Sequence, residues 1–325
     1  VKNYTVRRFE AHDTAIWNAF VKHAKNASFL LERGFMEYHA DRFVDESLLV
    51  FEEDSVVAVL PANRQGTTLY SHQGLTYGGF VFAENSKLSE VIGIVRTVLQ
   101  FLQHQNIQTL QIKLIPAIYT TCFAEEIEYI LFLLNATLMR RDCLSVLDLT
   151  QAFSLSTDRK QGVRRGVKNE LKVREVTDFE SFWNTILIPN LQEKHGAKPV
   201  HSLEEIQRLH QRFPNNIRQF NVYHQEELVA GTTLFVSNKV AHSQYISGNS
   251  TKNQLGSLDF LHNHLIADVF KDLHYFDFGT SHEDNGRKIN AGLLYWKESF
   301  GAKTTVQDFY EINTSNFSLL DAVLL

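Results

Sequence analysis

The chain has 325 residues, 44% hydrophobic and 21% charged, a length for two globular domains and a composition that excludes disordered and fibrous proteins. A formal net charge of −5 excludes whole-surface attraction to nucleic acid or anionic membrane, so any polyanion site has to be local. Two cysteines, Cys122 and Cys143, are too few for a disulfide scaffold or a thiolate zinc site and fit a reducing compartment.

The opening VKNYTVRRFE carries no apolar signal segment, and the longest apolar run, residues 129–139, is too short to span a bilayer. A cytoplasmic protein without a transmembrane segment is expected. From Leu48, LLVFEEDSVVAVLP predicts two strands around an acidic turn, followed by the turn NRQG and a third strand, a β-meander. Helix LSEVIGIVRTVLQFLQH, strand TLQIKLI, helix EEIEYILFLLNATL and strand CLSVLDL come next. The basic stretch SLSTDRKQGVRRGVKNELKVRE then predicts a bridging helix, on which Lys160, Arg164 and Lys168 recur every four residues as one cationic stripe.

From Phe220 the pattern starts again. Val50, Phe51, Val57, Ala58 and Ser71 recur as Val222, Tyr223, Val229, Ala230 and Ser243, a constant offset of 172 residues. A second meander is followed by helix SLDFLHNHLIADVFKDL, strand YFDFG, helix INAGLLYWKESF and strand TTVQDFYEI. Leu258, Leu261, Leu265 and Val269 fall on one face of the first of these helices, which predicts packing on a sheet. His262 and His264 point in different directions around it, and the 14 histidines include no HExxH motif, so no metal site is expected. The chain thus reads as a tandem duplication of one α+β unit, with domains at 1–155 and 156–325, each a mixed, mostly antiparallel sheet flanked by helices.

A strand, helix, strand order after an antiparallel meander, present twice, is similar to the topology of GNAT-superfamily acyltransferases. The segments SHQGLTYGGF, RKQGVRRGVKNELKV, YFDFGTS and GLLYWKESFGA together resemble the Fem family, the tandem-GNAT aminoacyltransferases that build peptidoglycan interpeptide bridges, and its wider Fem-like relatives. The most specific piece is a strand ending in Asp-Phe-Gly, followed by Gly-Leu, three residues and Lys-x-x-Phe-Gly. The resemblance implies that Lys297 stabilises the charge that develops on an acyl carbonyl, a role suited to an ammonium in a low-dielectric pocket. It also implies that Trp296 walls the channel, with Tyr295 and Asp277 at the substrate and the Gly78–Gly79 loop beside the acceptor. On the helix alone, Lys297 reads first as a solvated residue on its outer face, with Tyr295 and Trp296 in the core, and the resemblance reverses that order.

Several further residues are candidates from their chemistry. His282, beside Glu283 after the end of a strand, could act as general base, or belong to a polar surface loop turned by Asn285 and Gly286. Lys160, Arg164 and Lys168 read as a phosphate contact or as a solvated face. In NSTKNQLGSLDF, Lys252, Gly256 and Ser257 stand where coenzyme A-dependent GNAT enzymes hold a pyrophosphate, although Asn253 and Leu258 depart from that family's loop. No tightly bound cofactor is expected, and the donor is either an aminoacyl-tRNA or an acyl-CoA. The implied partners are a small-molecule or nucleotide-linked envelope precursor and a charged tRNA, with no DNA. The leading expectation is acyl or aminoacyl transfer to an amine, or a hydroxyl, of a cell-envelope precursor. The alternatives are an acyl-CoA-dependent N-acyltransferase acting on a surface-polysaccharide amino sugar and a catalytically silent precursor-binding protein.

Overall fold

Only Glu53 and Asp54 separate strand Leu48–Glu52 from strand Ser55–Leu60, and only Gln225 and Glu226 separate Ile217–His224 from Glu227–Val236. Glu53, Gln225 and Glu226 have φ of 53°, 49° and 66°, the twist that two-residue hairpins need. Each hairpin also shifts register once, between Val50 and Phe51 in the first and between Val222 and Tyr223 in the second. The 172-residue repeat therefore holds for backbone irregularities as well as for side chains. The computed structural model describes residues 2–324, apart from the side chains of Lys194 and His195.

The chain forms two compact units, residues 1–142 with 306–325, and residues 143–305. In the first unit an antiparallel sheet runs Tyr4–Arg8, Leu48–Glu52, Ser55–Leu60, Val81–Phe82. The Leu88–His104 helix begins where the backbone N–H of Lys87 donates to Glu90 at 2.9 Å, and it buries Val91, Val95, Val98 and Leu102 in the core. The predicted third strand of the first meander departs from expectation. Thr68–Tyr70 pairs with Asn63–Gln65 and, in parallel, with Thr109–Lys113, rather than with Ser55–Leu60. Pro61 has no N–H to extend the hairpin, and the Ala62 N–H is taken by Ser47 Oγ at 3.0 Å.

The second unit completes its meander as predicted, with Lys172–Val176, Ile217–His224, Glu227–Val236 and Val240–Gly248 all antiparallel. Tyr275–Thr280 then joins Val240–Gly248 in parallel. The helix that begins as Ser257–His264 continues through a wider turn over Leu265–Val269, which moves the buried face from Leu261 and Leu265 onto Ile266 and Phe270.

The closing strands account for the division into units. Within the strand Thr137–Asp148, residues 144–148 pair with Tyr275–Thr280 in the second unit. Within Lys303–Asn313, residues 309–313 pair with Thr109–Lys113 in the first. Each copy's last strand is thus handed to the other unit, so the units divide inside those strands instead of at 155/156. Among the described residues no helix is long and apolar enough to cross a membrane, and no group of three or more His, Cys, Asp and Glu side chains is placed to hold a metal ion.

Candidate active site

Val240–Gly248 and Tyr275–Thr280 pair only over Val240 to His242, and the first strand runs on beyond that point. Its end is held by Asn190, whose Nδ2 donates to Ser247 Oγ at 2.7 Å and to the Gly248 carbonyl at 2.9 Å. One helical turn, Lys252–Leu255, follows, and Gly256 with φ of 71° leads into Ser257–His264. A methyl group on Gly256 would stand 2.1 Å from the Gly162 carbonyl oxygen, so this glycine is required by the approach of the bridging helix. The loop expected to cradle a pyrophosphate is therefore a closed helical turn, and Ser257 is fully buried.

The bridging helix is Thr157–Lys168, opened by Ser156, whose Oγ accepts from the Arg159 N–H at 3.3 Å. Gly162 and Gly166 turn inward, where their missing side chains leave room for Asp259 and Phe260. Asp259 accepts from Arg159 Nη1 and, at 2.8 Å, from Trp296 Nε1. Burial raises the Asp259 pKa, while the bonds from Trp296 and Arg159 act in the opposite direction. Trp296 packs edge-on against His262, Phe278 and Phe300, with ring centroids 4.9, 5.7 and 5.1 Å away. Burial pushes His262 down to about 4, so this imidazole is neutral near pH 7, and its Nδ1 lies 2.9 Å from the Leu258 carbonyl.

Around these residues lies a cleft of about 770 Å³, with Arg159, Arg165, Asn190, Lys252, Tyr295 and Trp296 in its wall. Tyr295 donates to Asp158 at 2.7 Å, tying the helix Ala291–Glu298 to the bridging helix. Of the residues singled out in the sequence, the structure brings Lys252, Tyr295 and Trp296 to this cleft. Arg159, Arg165, Asn190 and Asp259 were missed. The one signal for the two arginines was the Gly162/Gly166 spacing, four residues apart, which marks a helix face in close contact with another and so fixes which arginines turn inward; Asn190 and Asp259 carried none.

Lys297 lies outside the cleft lining and is 2% exposed. Its ammonium donates to the Gly279 carbonyl at 3.1 Å and the Thr280 carbonyl at 2.5 Å. Burial lowers its pKa to about 8, against the charge of Asp277, which favours the ammonium. Asp277 lies with one oxygen 2.9 Å from His242 Nδ1, and its other oxygen accepts from the Gly279 N–H at 2.7 Å. Lys297 and Asp277 together hold the register break after Asp277, where Tyr275–Thr280 changes its pairing to Leu144.

The remaining candidates lie elsewhere. His282 sits half-buried in a small hairpin, His282–Glu283 against Lys288–Ile289, turned through Asp284 and Asn285 at φ of 52° and 51°. Lys160, Arg164 and Lys168 are exposed on the bridging helix. Gly78 belongs to the first unit, where a Cβ would stand 1.8 Å from the Ser71 carbonyl oxygen, and Gly79 follows with φ of 90°. Gly78 is explained by the close approach of the Ser71 backbone and Gly79 by its left-handed φ, and the Gly78 N–H donates to the Lys113 carbonyl at 3.0 Å.

Residues 158–288 match the acetyltransferase (GNAT) domain family. Over its length the chain is similar in fold to FemX, with a TM-score of 0.68 at 10% identity, covering 97% of this chain and 99% of FemX. It is also similar to the C-terminal domain of a putative lysylphosphatidylglycerol synthetase from Agrobacterium fabrum, with a TM-score of 0.57 at 14% identity over 97% of this chain and 96% of that one. A tandem GNAT protein from the clavulanic acid biosynthesis pathway gives 0.51 at 8% identity over 96% and 99%. No curated protein sequence matches the chain. The fold is that of tandem GNAT proteins, and the second unit carries a GNAT acetyltransferase domain.

Proposed function

We propose, from the premise that the chain is a Fem-like acyltransferase of the GNAT superfamily, that it moves an acyl or aminoacyl group to an amine, or alternatively a hydroxyl, of a cell-envelope precursor. The observation that carries this reading is the 770 Å³ cleft, a space for a donor whose walls join cations, Arg165 and Lys252, to the aromatic face of Trp296. The FemX and lysylphosphatidylglycerol synthetase likenesses favour aminoacyl transfer to an envelope molecule. The acceptor amine attacks the donor carbonyl, a tetrahedral intermediate forms, and the bond to the leaving oxygen or sulfur breaks as the amine proton passes to that atom. In this reading Lys297, next in the chain to Trp296 of the cleft wall, is a positioning residue that holds the carbonyls of Gly279 and Thr280.

The donor favoured is an aminoacyl ester of RNA, because the Lys252–Leu255 turn closes the loop and Gly256 is committed to Gly162, which leaves few free backbone amides for a diphosphate. The acyl-CoA reading draws support from the start of the Ser257 helix next to Arg165 and Lys252. Calorimetric titration of coenzyme A and acetyl-coenzyme A, beside transfer assays with charged tRNA, separates the two. Micromolar binding and turnover of a thioester, with charged tRNA inert, would move the assignment to the acyl-CoA-dependent enzyme. Precursor binding without turnover of either donor would identify a silent binding protein.

A further inference from the structure

Lys160, Arg164 and Lys168 are all exposed, and among the described residues none of them is in an ion pair. No Asp or Glu stands three or four residues from any of the three, so the helix supplies no counter-charge either. The opposite face is fixed by Gly162 and Gly166 against Asp259 and Phe260, so the helix cannot rotate to solvate the stripe differently. Arg159 and Arg165 on the same helix meanwhile line the cleft. One helix therefore carries positive charge from the cleft wall out onto an open ridge, in a chain whose net charge is −5.

We propose that this ridge is the docking surface for the backbone of an RNA whose 3′ end enters the cleft. The proposal rests on the reading above that the donor is an aminoacyl ester of RNA, and adds to it where the body of that RNA lies. At a rise of ~1.5 Å per residue the three cations stand ~6 Å apart and span ~12 Å, a spacing that follows successive phosphates of one strand. Coenzyme A carries one diphosphate and one ribose 3′-phosphate, which do not form an evenly spaced row matching three cations ~6 Å apart. A bilayer is disfavoured because Val167, 63% exposed, is the one large apolar side chain that the helix presents to solvent among the described residues, and the helix's other face is already packed. Phosphate contacts of this kind position a nucleic acid without reading its sequence, so the ridge should bind RNA hairpins of different sequence alike.

The test uses the whole chain, an uncharged RNA hairpin that reproduces a tRNA acceptor stem with its single-stranded 3′ end, and fluorescence anisotropy at graded salt. The triple variant Lys160→Gln, Arg164→Gln, Lys168→Gln should keep its melting temperature and lose most of its hairpin affinity. Three lost phosphate contacts lower the salt slope by about 2.1 to 2.7, so the wild type should lose about 20- to 40-fold more affinity than the variant between 50 mM and 200 mM salt. Lys160→Arg with Lys168→Arg, which keeps the charge, should bind as the wild type does. In transfer assays the triple variant should raise KM for a charged hairpin and leave KM unchanged for an aminoacylated trinucleotide, which is too short to reach the ridge. Equal salt slopes for wild type and variant, no hairpin binding at low salt, or stronger loss of binding to anionic vesicles than to the hairpin would each overturn the proposal. A wild type that binds the hairpin through the ridge but transfers from neither donor would refute the donor reading and leave the ridge standing.

Discussion

Lys297→Met replaces a buried ammonium by a thioether of similar length, and its effect on stability should depend on pH. Burial holds the Lys297 pKa at about 8 where an unfolded chain has 10.5. Between those values the unfolded state binds a proton that the folded state has released, so the Lys297 contribution becomes more favourable as pH rises from 8 towards 10.5. At ~1.4 kcal/mol per pKa unit, holding the charge in the fold costs about 3 kcal/mol at pH 7 and a little over 1 at pH 9.5. Wild type should therefore gain about 2 kcal/mol relative to Lys297→Met over that interval, measured by urea unfolding at both pH values. At pH 7 the variant loses the bonds to the Gly279 and Thr280 carbonyls but also escapes the desolvation cost, so its stability should lie within about 2 kcal/mol of wild type. Lys297→Ala, which adds a cavity, should lose about 2 to 5 kcal/mol. Transfer should fall ~100-fold or more in the folded methionine variant, if the two carbonyls must be held for reaction. Parallel pH profiles for wild type and Lys297→Met would refute the low-pKa environment, and full activity in the variant would refute the positioning role.

Three further outcomes are expected. In the first unit His39 and His72 stack with centroids 4.8 Å apart, and burial depresses them to about 4 and about 3, so stability is complete above pH 6.5 and falls as pH drops towards those values. Urea unfolding should show a loss of about 3 to 4 kcal/mol between pH 7 and pH 5, reduced by roughly half in His39→Gln; an unchanged slope in that variant would show the loss to arise elsewhere. Gly162→Ala raises helix propensity by ~1 kcal/mol yet places a methyl 1.7 Å from Asp259 Oδ2, so a net loss of about 1 to 3 kcal/mol is expected in thermal unfolding, and a raised melting temperature would contradict the close packing of the two helices. Arg165→Gln should leave stability within ~0.5 kcal/mol and raise donor KM ~10-fold with kcat unchanged; a fall in kcat alone would place Arg165 at the reacting atoms instead of at the donor's charge.

Much of this architecture could be read from local patterns, because those patterns are the physical cause of the elements concerned. Leu88–His104 shows a heptad-spaced apolar face and Glu90 at its third position, and both act within the helix itself. The two acidic turns repeat 172 residues apart because a two-residue hairpin and the bulge after it depend on a few neighbouring residues. The Asp-Phe-Gly strand and the Gly-Leu-x-x-x-Lys helix were also legible, and Asp277 and Lys297 do meet around Gly279.

What the tertiary structure decided concerns direction and partners, which no local pattern specifies. The helix pattern placed Lys297 on the solvated outer face and the family resemblance placed it at a donor channel, whereas the register break after Asp277 presents two carbonyls that draw its ammonium inward. The sequence set out Lys160, Arg164 and Lys168 as one stripe, and only the seating of Gly162 and Gly166 on Asp259 and Phe260 turns Arg159 and Arg165 to the cleft and leaves that stripe outside. The exchange of closing strands was invisible for the same reason. A strand's sequence fixes its alternation, but its partner is chosen by hydrogen-bonding edges far away in the chain, Tyr275–Thr280 for residues 144–148 and Thr109–Lys113 for residues 309–313.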